Sequence, residues 1–127
     1  MESIPDDVRR FVLTSIPSVP YLEAALLFHD APRLERTAAE VARALYMQER
    51  AAAELLEALL AAGVLAPGAG GAGCYRYSPA DDALNEAFGR LAMVYASNLV
   101  GVTNLIHDAT QKSAQRFADA FKLRKDR

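Results

Sequence analysis

The chain has 127 residues, 14 Lys+Arg against 16 Asp+Glu, and 52% hydrophobic residues, which is enough apolar material at this size to bury a core without covalent staples. A single cysteine, Cys74, excludes an intrachain disulfide framework and a cysteine-rich zinc site, and the net charge of -2 exerts no global pull toward nucleic acid. The opening residues are acidic rather than basic, and no stretch reaches the roughly 18 uninterrupted apolar residues of a membrane span, so the expectation is one domain, residues 1–127, in the cytoplasm and off the membrane.

Ser3 or Asp6 starts a first helix that runs to about Ser15, where Pro17 and Pro20 stop it; Val8, Phe11, Val12 and Ser15 recur at helical spacing. Ser18 caps a second helix with Leu22, Ala25, Leu26 and His29 on one face, closed by Asp30-Ala31-Pro32. These two helices make up an N-terminal segment, 1–36. Thr37-Ala38-Ala39-Glu40 has the form of a capping box, in which hydroxyl and carboxylate satisfy each other's free backbone N–H groups, and it opens a short helix to about Tyr46. After a turn near Met47-Gln48, residues 49–62 place Ala52, Leu55, Leu56, Leu59 and Leu60 on one stripe, with Gly63 just past the end. Val64-Leu65-Ala66 and Cys74-Tyr75-Arg76-Tyr77 predict an antiparallel two-stranded hairpin around the glycine-rich run 67–73. Ser78 as cap, Pro79 at the first position and Asp81 and Asp82 in the first turn predict a long helix to about Ala109, within a segment 78–111. The last segment, 112–127, holds Lys112, Arg116, Lys122, Arg124, Lys125 and Arg127 against Asp119 and Asp126, a net of +4 that leaves -6 on everything before it. Ala114, Phe117 and Phe121 give it an apolar stripe, which predicts docking as far as Phe121; the alternative is a solvated terminus.

A capped short helix (Thr37-Ala38-Ala39-Glu40-Val41-Ala42), a tight turn, an amphipathic helix ending in Leu59-Leu60-Ala61-Ala62-Gly63-Val64-Leu65, and a hairpin follow one another over residues 37–77. In this order they resemble the winged helix-turn-helix of MarR-like bacterial transcriptional regulators. The resemblance implies a mainly α fold with a two-stranded wing and long flanking helices that make a homodimer. It also implies a regulator that binds double-stranded DNA, with the helix over residues 49–62 in the major groove and the hairpin on phosphates or the minor groove. Gln48, Arg50, Ala53 and Glu54 would then face the groove, while Arg76, Lys122, Arg124 and Lys125 would touch phosphate. The residues themselves leave a second reading open. Residues 37–77 carry Arg43, Arg50 and Arg76 against Glu40, Glu49, Glu54 and Glu57, a net of -1, whereas phosphate attraction supplies most non-specific affinity for DNA. An acidic helix face suits a basic protein surface, so the alternative is a winged-helix protein–protein interaction module that does not bind DNA unaided.

Leu84, Phe88, Leu91, Tyr95, Asn98, Val102 and Leu105 alternate at intervals of four and three along the long helix, which predicts a homodimer seam with Asn98 fixing its register; the alternative is that all seven face the chain's own core. Catalytic chemistry finds little support. Gly68-Ala69-Gly70-Gly71-Ala72-Gly73 matches the letters of a dinucleotide loop, but it leads into a strand where pyrophosphate binding needs a helix N-terminus. His29-Asp30 and His107-Asp108 are adjacent pairs whose side chains diverge around a helix, and they read as helix-end residues. Cys74 reads as a buried strand thiol rather than a nucleophile. No enzyme activity, cofactor or metal is expected.

Overall fold

The computed structural model describes residues 3–71 and 73–125, with side chains as far as Ala120. The described residues are mainly helical, with a small three-stranded antiparallel sheet. Helix α1 (Asp6–Ser15) starts on two acids that complement its dipole and buries Val8 and Val12. Helix α2 (Val19–His29) is capped by Ser18, whose hydroxyl accepts from Tyr21 N–H at 3.2 Å. Sequence spacing predicts one apolar face for α2, but Tyr21, Leu22, Ala24, Ala25, Leu26 and Phe28 are all buried. A helix apolar all round belongs inside, and α2 packs against α3, α4, α5 and β3 together.

Strand β1 (Arg36–Thr37) leads into α3 (Ala38–Leu45) through the capping box. Thr37 N–H donates to Glu40 Oε1 at 3.0 Å, and Glu40 N–H donates to the Thr37 hydroxyl at 3.3 Å. The Thr37 N–H, with the Thr37 hydroxyl donating to the same oxygen at 3.1 Å, holds the Glu40 carboxyl below the ordinary glutamate range. Helix α4 (Glu49–Ala61) buries Ala52, Leu56 and Leu59 against α2 and α3. It ends in a Schellman motif, with Gly63 N–H donating to Leu60 O and Val64 N–H to Leu59 O, and Gly63 takes the required left-handed φ of 78°.

Strand β2 (Leu65–Pro67) and strand β3 (Cys74–Tyr77) pair antiparallel with Leu65 opposite Tyr77. The predicted hairpin gains a third strand, since β1 joins the other edge of β3 with Arg36 opposite Tyr75. Pro67 sits on edge strand β2, where its missing N–H costs no ladder bond.

The predicted long helix is two helices, α5 (Asp82–Ser97) and α6 (Leu99–Lys125). Its start also moves. Ser78 N–H is spent on Val64 O and Ala80 N–H on Gly63 O, which ties residues 78–80 to the end of α4 and leaves Asp81 as the cap, accepting from Leu84 N–H at 2.8 Å. At the break, Asn98 ends α5 and caps α6, its side-chain oxygen accepting from Gly101 N–H at 3.0 Å. The helices α1, α5 and α6 close the core from the other side, where the rings of Phe11 and Phe88 meet edge to face at 5.1 Å. Across that face Arg90 Nε on α5 reaches Asp7 on α1 at 2.7 Å.

Candidate functional site

A three-residue turn, Tyr46-Met47-Gln48, joins α3 to α4. Met47 N–H donates to Ala42 O at 3.0 Å, which forces Tyr46 into the left-handed region at φ 56°, ψ 51°. A non-glycine residue there carries steric strain, and Tyr46 also stands 96% exposed. Gln48 is the N-terminal flanking residue of α4 but makes no side-chain cap bond, so its amide points to solvent. Arg50, Glu54 and Glu57 are exposed along the outer face of α4, and Arg50 Nε lies 4.0 Å from Glu54 Oε1. Ala53 departs from the expectation. It is half-buried because it lies three positions before the buried Leu56, at the flank of the core-facing stripe.

Arg76 is exposed on β3 opposite Ala66. The backbone of α6 runs through Lys122, Arg124 and Lys125, but their side chains, like that of Phe121, lie outside the described residues. The predicted docking of this segment is not what the structure presents. Residues 110–120 are exposed throughout, Phe117 is 75% exposed, and Lys112 and Arg116 share this open stretch of α6.

The predicted dimer seam is placed inside the chain's own core. Phe88, Leu91, Val102 and Leu105 are buried, and Leu84, Tyr95 and Asn98 are half-buried. The heptad-like spacing therefore reports the inward faces of α5 and α6, with Asn98 serving as a helix cap rather than a register pin. Among the described residues, the large apolar side chains these helices leave outside are Met93, Leu99, Val100 and Phe117.

His29 and Asp30 do meet, with Nδ1 3.1 Å from Oδ1, although the backbone at Asp30 is still right-handed helical at φ -73°, ψ -17°. The ring also packs edge to face on Tyr77 at 5.5 Å. Cys74 is half-buried and free of any disulfide. Among the described residues no group of three His, Cys, Asp or Glu side chains is set to hold a metal ion, and no single helix is long and apolar enough to cross a membrane.

Two features escaped sequence reasoning. Tyr46 lies in a turn that sequence reads only as a turn, with no residue type that announces positive φ. Glu35 grips the hairpin loop from more than thirty positions upstream, accepting from Ala69 N–H at 2.9 Å and Gly70 N–H at 2.8 Å. No local pattern encodes such a contact. No family model, curated protein or solved structure matched the chain.

Proposed function

We propose that the chain is a DNA-binding transcriptional regulator of winged helix-turn-helix type, with α4 as the groove-reading helix and the β2–β3 hairpin as the wing. The observation that carries the reading is the presentation of α4. Its inner face is anchored in the core, while Gln48 at its N-cap and Arg50 in its first turn stand open near the exposed Tyr46. Side chains at the N-terminal end of such a helix are the ones that reach base edges. Arg76 on the wing and the basic end of α6, with Lys122, Arg124 and Lys125, would supply the phosphate contacts that the acidic body lacks. The reading includes a homodimer that buries the apolar residues left outside on α5 and α6, namely Met93, Leu99, Val100 and Phe117.

Glu54 and Glu57 on the same outer face favour a second reading, a protein–protein interaction module that docks this face on a basic surface. The two readings differ in sign at Glu57. In a groove its carboxylate repels phosphate, so Glu57→Gln should tighten binding to a random duplex in fluorescence anisotropy at low salt. On a basic protein surface the same substitution removes a charge pair and weakens the complex. Absence of duplex binding for both wild type and Glu57→Gln would sink the DNA reading in favour of the interaction module.

A further inference from the structure

Consecutive backbone N–H groups that converge on one point make an anion site, because their partial positive charges add and no side chain intervenes. The loop between β2 and β3 is built this way. Ala69 N–H donates to Glu35 Oε2 at 2.9 Å and Gly70 N–H donates to Oε1 at 2.8 Å, so both oxygens of one carboxylate are held by neighbouring amides. Glycine is what admits the group. A Cβ added at Gly68 would lie 2.6 Å from Oε1 and 2.7 Å from the carboxyl carbon, and one at Gly70 would lie 2.9 Å from Oε1. The loop itself is fixed from below, where Gly68 N–H donates to Cys74 O at 2.7 Å. The two amide bonds, with a smaller contribution from the Arg76 guanidinium, hold the Glu35 carboxyl below the ordinary glutamate range, so the group they grip is the anion.

The glycine-rich run therefore has a use that its likeness to a dinucleotide loop obscured. A dinucleotide loop delivers pyrophosphate to a helix N-terminus, whereas this one presents two amides at a hairpin tip. The donors are those that would bind any small oxyanion, and Glu35, half-buried on the segment before β1, occupies them from within the same chain.

We propose that residues 68–70 form an oxyanion site which the chain fills with its own Glu35 carboxylate, and that a phosphate group takes the same two N–H donors once that carboxylate is removed. The site ties the hairpin tip to the segment before β1. Its occupant is of one chemical kind, a compact oxyanion, whether that phosphate is free in solution or belongs to a nucleic-acid backbone; only the second source rests on the DNA reading.

Amide proton and nitrogen shifts of Ala69 and Gly70 test it on the full-length protein. In wild type both amides should sit downfield and ignore added inorganic phosphate. Glu35→Ala should move both upfield, with the rest of the spectrum unchanged, and titration with inorganic phosphate should return both along one saturating curve. Gly68→Ala keeps the acid but sets a methyl group where Oε1 lies, so it should give the same upfield shift without rescue by phosphate. Amides that stay in place in Glu35→Ala, or that phosphate moves only in proportion to its concentration, would overturn the proposal. A short duplex added to Glu35→Ala at low salt separates the sources. Shifts of Ala69 and Gly70 matching those from phosphate identify a backbone phosphate as an occupant. Rescue by inorganic phosphate alone supports the oxyanion site and shows that the loop, once emptied of Glu35, takes the free anion but not a backbone phosphate.

Discussion

Tyr46 carries the clearest conflict between a residue and its backbone. Left-handed dihedrals cost an L-residue about 1–2 kcal/mol, and asparagine tolerates them better than tyrosine because its short side chain bonds locally. Nothing in the fold compensates, since the ring is 96% exposed. Tyr46→Asn should therefore raise the thermal midpoint, by about 3–5 °C if roughly 1 kcal/mol is recovered. A lower midpoint by differential scanning calorimetry would show that the tyrosine makes a stabilising contact the structure does not contain. At this scale the sequence was legible where partners are close together. Thr37 and Glu40 are three apart and declare their capping box, and Gly63 declares a helix end. Glu35 and the amides of 69 and 70 satisfy each other across the fold, so neither half signals the other.

Elements were legible as far as local propensity decides them. Apart from the short strand β1, the order of helices and strands follows from caps, breakers and apolar spacing, and the first hairpin strand moves by one position, from residues 64–66 to Leu65–Pro67. Two failures came from tertiary competition. Ser78-Pro79 has every sign of a helix start, but its backbone is claimed by the end of α4. The other is the break at Asn98, which the apolar spacing bridges because α5 and α6 both turn an inward face to the core. A Cβ at Gly101 would lie 2.5 Å from the Asn98 amide nitrogen, so the glycine is part of the cap. Asn98→Ala should cost about 1 kcal/mol, lowering the thermal midpoint by about 3–5 °C. An unchanged midpoint would mean that packing of α5 and α6, rather than the cap, fixes the bend.

At the scale of the whole molecule, the same seven positions that sequence reads as a seam between two chains hold one chain together. Leu91 is fully buried, so Leu91→Glu should unfold the protein, whereas Val100→Glu, at a side chain 65% exposed, should leave the circular dichroism intact and dissociate the proposed homodimer. Sedimentation that shows folded Leu91→Glu monomers would restore the intermolecular seam. A repeat of alternating fours and threes states only that a stripe is covered, and whether the cover is the same chain is decided by how the helices fold back. The charge distribution was legible in full, because it is a property of composition. It gives an acidic body of net -6 and a basic end of net +4, which is the arrangement the DNA reading has to use.

The salt dependence of duplex binding tests that reading most directly. Each phosphate neutralised contributes about -0.9 to the slope of log K against log salt. Full-length protein should bind a random duplex at low salt with a steep negative slope, and replacing Lys122, Arg124 and Lys125 together by glutamine should flatten it by about 2.7 per chain. A slope unchanged by the triple substitution, or no binding at low salt, would contradict the account.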